Sequence, residues 1–228
     1  MNAKHLILML LAIALLAVSC AEDEGDEGRV RYRDEIFEDV EVDPGVSYGQ
    51  NTTLGGREKT LVMDIYSPSG DDLPRRPVII LVHGGGFIEF ASSMGQMEGY
   101  ARSLARRGYV AANIDYTKYE GSALPIATET VWAVAMKARA DLLAAIRFMR
   151  KDAQTTNQYR TNPQRIYALG GSAGAITALH AAYLDSTDAL PQELAGIISQ
   201  NGGFSGNSGN PGYSGSLSGV INIAGALM

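Results

Sequence analysis

The chain has 228 residues, 46% of them hydrophobic, with a formal net charge of −6 and a single cysteine. That is enough apolar material for one sizeable core, and the length favours one folded domain. The negative balance and the absence of a lysine- and arginine-rich stripe exclude nucleic acid as a partner, and one cysteine leaves no disulfide framework.

The first residues read as a targeting segment. Lys4 supplies a positive start, and Leu6–Val18 is an apolar stretch too short to span a bilayer comfortably. It ends in Ala17-Val18-Ser19-Cys20, so residues 1–20 are expected to be a signal peptide, either of the lipoprotein kind with Cys20 lipidated or a plain secretory one cut near Ser19–Ala21. Both readings export the protein, to the cell envelope as a lipoprotein or into the periplasm or medium, and a lipid on Cys20 would be its one link to a membrane. Residues 21–29 carry a run, EDEGDEG, of five carboxylates in seven positions, which is expected to be a disordered, solvated tether.

Residues 30–228 are expected to be the folded domain. Ile36–Val42 and Val46–Tyr48 predict two short antiparallel strands joined by a turn at Asp43-Pro44-Gly45, and Lys59–Tyr66 a third strand. Val78–Val82 is a continuous β-branched and leucine run, which predicts a central parallel strand covered on both faces. Met97–Arg107 predicts a helix capped by Gly108, and Tyr109–Ile114 another buried strand. From Val131 to Met149 apolar residues recur at helical spacing, which leaves Lys137, Arg147, Arg150 and Lys151 for the surface. The alternation predicts an α/β fold with a doubly wound, mostly parallel sheet, in which ligands bind at the carboxyl ends of the strands.

Two motifs fall at such ends. After a strand at Ile166–Leu169 comes Gly170-Gly171-Ser172-Ala173-Gly174, followed by a helix over Ala173–Leu184. A G-x-S-x-G sequence between strand and helix holds its serine in a strained turn with the hydroxyl exposed, and only small neighbours leave it room. Ser172 is thus a candidate nucleophile, although GGSAG alone also suits an ordinary strand-to-helix turn. The second motif, His83-Gly84-Gly85-Gly86-Phe87, follows Val78–Val82. Consecutive glycines bare their N–H groups, so Gly85 and Gly86, with Ala173, are candidate oxyanion-hole donors, while His83 and Gly84 shape the loop.

HGGGF after a buried strand, Ile114-Asp115-Tyr116 at a strand end and GGSAG further on resemble the HGGG-bearing carboxylesterases and lipases of the α/β-hydrolase superfamily, those related to hormone-sensitive lipase and bacterial feruloyl or acetyl esterases. The resemblance runs from about Thr60 to the end. It implies serine-dependent hydrolysis of a small-molecule or carbohydrate-linked ester through an acyl-enzyme, without metal or other cofactor. A non-catalytic binding protein and a serine peptidase of the same fold are the alternatives.

The pattern is incomplete. The family's acid and its general-base histidine follow the serine, yet the histidines here are His5 in the leader, His83 in the glycine loop and His180, eight residues beyond Ser172 and about 12 Å along its helix. Asp185 and Asp188 read as surface residues. Gly219–Ile223 resembles the strand after the serine's helix, and the chain is expected to be the N-terminal part of a longer hydrolase that lacks the last strands and helices. Asn201–Ser216, with six glycines, reads as a flexible loop or as one facing substrate.

Overall fold

A continuous β-branched run needs cover on both faces, and Arg76–Val82 (β3) has it, with all seven residues buried. In the computed structural model, which describes residues 28–91, 93–121 and 127–227, this strand lies inside a six-stranded sheet of order β1-β2-β4-β3-β5-β6. The other strands are Val40–Thr52 (β1), Glu58–Pro68 (β2), Val110–Ile114 (β4), Thr161–Gly171 (β5) and Gly219–Ile223 (β6). Strands β4, β3, β5 and β6 are parallel, and β2 and β1 extend the sheet in antiparallel sense. Helices span Glu98–Arg106 (α1), Thr128–Gln154 (α2), Ala173–Tyr183 (α3) and Gln192–Gln200 (α4). All these elements belong to the unit Arg31–Met228. The doubly wound, mostly parallel α/β sheet is therefore the expected one.

Alternation along β3 divides the core. Val78, Ile80 and Val82 join α2, α3 and α4 on one face, while Ile79 and Leu81 meet Ala101 and Ala105 of α1 on the other. Helix α1 begins after a single 3-10 turn at Met94–Met97 and ends at Gly108, whose φ of +96° suits a C-terminal glycine. No helix among the described residues is long and apolar enough to cross a membrane. The leader, Cys20 and residues 21–27 of the tether lie outside the described residues.

Three expectations need correction. The predicted hairpin is one strand: β1 runs through Asp43-Pro44-Gly45, which forms a bulge between the pairs Asp43–Ile65 and Val46–Met63. Gly45 takes φ +68°, its N–H donates to Asp64 Oδ1 at 2.8 Å, and Pro44 is tolerated because β1 is an edge. Arg147 and Arg150 are not on the surface but buried, on the side of α2 that faces residues 203–216. Arg147 donates from Nε to Gly209 O at 2.8 Å and from Nη1 to Ser205 O; Arg150 donates to Pro163 O, Ser214 O and Ser216 O.

Those bonds carry the third correction, because residues 203–216 are held against α2 rather than free. Asp141, fully buried on α2, accepts from Ser208 Oγ at 2.7 Å, Asn51 Nδ2 at 2.6 Å and Thr117 N at 2.7 Å. Burial raises the pKa of its carboxyl, and the hydrogen bonds work against that rise. The glycines let the segment approach: a Cβ on Gly206 would lie 2.9 Å from Ala140 Cβ. One helix thus ties β1, the segment after β4 and the glycine-rich segment into a single layer.

Candidate active site

The carboxyl ends of β3, β4, β5 and β6 converge on one edge of the sheet. At the end of β5 the chain turns at Ser172, which is exposed and holds φ +48° and ψ −116°, a region that costs a non-glycine residue of order 1–3 kcal/mol. The turn is held from both sides. Ser172 N–H donates to Ile223 O at the end of β6 at 2.8 Å, and Ser172 O accepts from Ile176 N at 3.0 Å in the first turn of α3.

The small residues are required by contact. A Cβ on Gly174 would overlap Val82 O and lie 2.6 Å from His83 O, and one on Gly170 would run into the backbone of Gly174. The start of α3 therefore sits directly on the end of β3. Gly84 completes the junction, since a Cβ there would lie 3.1 Å from Gly171 O and 3.4 Å from Ser172 Cβ. His83–Phe87 and Gly170–Gly174, distant in sequence, are thereby packed against each other.

The glycine loop has its own brace. Gly85, Gly86 and Phe87 all have positive φ, at +108°, +60° and +62°. Ile88 N–H donates to Gly85 O at 3.0 Å, and Tyr119 N–H donates to Phe87 O at 2.6 Å. Underneath, Tyr116 Oη donates to His83 O at 2.9 Å and Gly84 O at 3.3 Å, and its ring stacks on that of His83 with centroids 4.5 Å apart. Burial pushes the Tyr116 phenol well up, so it stays a donor at any working pH.

Asp115 anchors this brace. Its carboxylate meets Lys59 Nζ at 2.7 Å, Lys118 Nζ at 3.0 Å and His83 Nε2 at 3.8 Å. Burial opposes its charge, yet His83, Lys59 and Lys118 together outweigh burial and hold the carboxyl well below the ordinary range. The sequence marks Asp115 and Tyr116 as a strand end but does not reveal this bracing; the signal was their place directly after a buried strand.

The two described histidines are engaged elsewhere. His83 is fully buried, with Nδ1 2.8 Å from Gly84 O, and His180 is buried in α3 with Nδ1 2.8 Å from Ile176 O. His5 lies outside the described residues. Asp185 and Asp188 form an exposed turn of their own, in which Asp185 accepts from Thr187 and Asp188 from the Asp185 N–H. Among the described residues no group of three or more histidine, cysteine or acidic side chains could hold a metal ion.

Known proteins share this fold. No curated protein sequence matches the chain. Among solved structures, Est2, a thermophilic esterase from the planctomycete Thermogutta terrifontis, is similar. Its native form is 26% identical with a TM-score of 0.54, and the alignment covers 88% of this chain and 58% of that one. The butyrate-bound form is 24% identical with a TM-score of 0.55 over the same shares of the two chains. This chain thus spans less than two thirds of the esterase's length. The BD-FAE family model matches residues 63–205, more than half of the chain and the whole of the glycine-loop, Asp115 and Ser172 junction, so the chain belongs to the BD-FAE family of α/β-hydrolase-type esterases.

Proposed function

We propose that this chain is the serine-bearing part of a carboxylic ester hydrolase. The observation that carries the reading is the packing of Gly84 against the strained turn at Ser172, which brings the glycine loop next to an exposed serine. Ser172 Oγ attacks the acyl carbonyl and forms the tetrahedral intermediate. The N–H groups of Gly85, Gly86 and Ala173 donate to its oxyanion, loss of any one donor costing about 3 kcal/mol. The alcohol leaves, and water then releases the acyl group from Ser172.

Ser172 needs a general base, and neither His83 nor His180 is available to it. In this reading the base and the acid that orients it come from residues of a longer form of the protein, and the 228-residue chain alone hydrolyses esters slowly, because a serine hydroxyl without a base is a poor nucleophile at neutral pH. Tyr116 supports the oxyanion loop through the two backbone carbonyls its hydroxyl holds in place. Substrates are small-molecule or carbohydrate-linked esters, and short acyl chains come first because Est2 structures hold butyrate and propionate.

The test is p-nitrophenyl acetate hydrolysis by a full-length form and by its Ser172→Ala variant. We expect a loss of at least 1,000-fold, in line with removal of a nucleophile; equal rates would remove Ser172 from the mechanism. Export is a separate proposal, resting on the apolar run before Cys20. A radiolabelled fatty acid supplied to a bacterial host should label the wild type and not Cys20→Ser, and label on the variant would refute lipidation.

A further inference from the structure

We infer that Asp141, a buried carboxylate of α2 outside the chemistry proposed above, is a positioning residue for the oxyanion donors. The inference deepens the proposed function and rests on it. Asp141 and Thr117 are each 0% exposed. The two oxygens of the carboxylate have different partners. Oδ1 accepts from Asn51 Nδ2 at 2.6 Å and Ser208 Oγ at 2.7 Å, which belong to β1 and the glycine-rich segment, whereas Oδ2 accepts from Thr117 N at 2.7 Å.

Thr117 N–H and Tyr116 C=O are the two ends of one peptide unit, and both ends are held. The carbonyl accepts from Lys59 Nζ at 3.1 Å, so this planar group is clamped between a lysine of β2 and a carboxylate of α2. The glycine loop hangs from the clamp. On one side Tyr116 Oη donates to His83 O at 2.9 Å and Gly84 O at 3.3 Å; two residues past Thr117, Tyr119 N–H donates to Phe87 O at 2.6 Å. A trans peptide points its N–H opposite to its C=O, so the grip on Gly84 O turns Gly85 N–H, a proposed oxyanion donor, away from Tyr116. Glycines have little conformational preference of their own, which leaves the shape of Gly84–Gly86 to these outside bonds. A shift of the clamped unit therefore carries both ends of the loop with it.

Asp141 also ties the layer together, and chemistry separates that tie from the clamp. In Asp141→Asn the amide oxygen can serve the two donors Asn51 and Ser208, which leaves the amide NH2 facing Thr117 N–H, donor against donor. That variant breaks the clamp and keeps the tie. Ser208→Ala leaves Thr117 N–H on Oδ2 and loosens the tie instead. A merely structural carboxylate would make the two variants alike.

The test reads kinetics and local opening side by side. In a full-length form, kcat and KM for p-nitrophenyl acetate are measured well below the thermal transition; in the 228-residue chain, amide exchange is followed by mass spectrometry. We expect Asp141→Asn to lower kcat at least about tenfold with KM within about twofold, short of the roughly 100–1,000-fold that outright loss of a donor costs. Exchange should rise at least about tenfold across residues 83–91 and 115–119 and stay near wild type across 203–216. Ser208→Ala should show the reverse pattern, with kcat near wild type. Tyr116→Phe, which removes only the hydroxyl, should lower kcat as Asp141→Asn does and add little to it in the double variant, because both act on the same bond; this arm decides the matter if Asp141→Asn does not fold. The inference is overturned by wild-type kcat and exchange in a folded Asp141→Asn or Tyr116→Phe, by a kcat loss in Ser208→Ala as large as in Asp141→Asn, or by fully additive losses in the double variant. Equal hydrolysis by wild type and Ser172→Ala would overturn the proposed function instead, and the exchange pattern would still show whether Asp141 places the loop.

Discussion

Asp115 shows how one carboxylate can set the shape of a loop it does not belong to. It accepts from Lys59 and Lys118, fixes the side of His83, and sits next to Tyr116, whose hydroxyl holds two carbonyls of the glycine loop. Because the folded chain binds the Asp115 proton less tightly than the unfolded chain does, its stabilisation is complete above about pH 4, the unfolded value. It is lost as pH falls toward the lower folded value. Asp115→Asn should lower the stability by about 2 kcal/mol at pH 7, or about 4–8 °C in Tm, and the gap to wild type should close as thermal melts are repeated from pH 5 down to pH 2. A gap independent of pH would show that the carboxylate charge is not what holds the loop. Ser172 and the glycines of the junction were legible in the sequence because their motif is local: strand, small residues, serine, helix. The role of Asp115 was not, since Lys59 reaches it from the neighbouring strand β2, far away in sequence, and no local pattern records that meeting.

Helix α2 carries the same lesson at the next scale. Its apolar spacing is visible in the sequence, and so is its helical state, but periodicity assigns Arg147 and Arg150 to solvent. Arg147 and Arg150 instead turn their guanidinium groups onto the carbonyls of residues 203–216, a glycine-rich stretch that reads as free when composition is the only guide. The carbonyls need donors and the arginines need acceptors, so each half is explained only by the other. We expect Arg147→Met and Arg150→Met together to raise amide exchange across residues 203–216 at least tenfold, with little change in the central strand β3, read by hydrogen exchange with mass spectrometry. Unchanged exchange would mean that Asp141 and the backbone bond from Gln50 N to Ser208 O suffice. The bulge in β1 was missed for a related reason: Asp-Pro-Gly is turn chemistry, and only the continuous pairing with β2 decides that the strand goes on.

Across the whole molecule the two faces of the sheet are unequally covered. Among the described residues, helices α2, α3 and α4 pack on one, whereas α1 is the helix on the other. There Tyr32, Ile79, Tyr109, Tyr167 and Ile221 border an apolar depression of about 380 Å³. Strand β6 closes the sheet with Ile221 45% and Ile223 43% exposed, and an edge of β-branched residues invites pairing with another chain. The 228-residue chain should therefore bind a hydrophobic dye and associate as its concentration rises. Ile221→Lys should reduce both, as followed by dye fluorescence and light scattering; a monomer without dye binding would show this face to be adequately covered.

The bond from Ser172 N–H to Ile223 O has a consequence in time. The strained turn at the serine leans on a strand whose Ile223 follows it by 51 residues in the chain. At a synthesis rate of 5–20 residues per second the nascent chain has made its serine about 3–10 s before it has made that support. Until β6 arrives, nothing on that side holds φ at its unfavourable value, and the turn is free to relax. The geometry of the turn is thus among the last features of this sheet to be set, and an unfinished polypeptide carries the serine without the bond from β6 that steadies it.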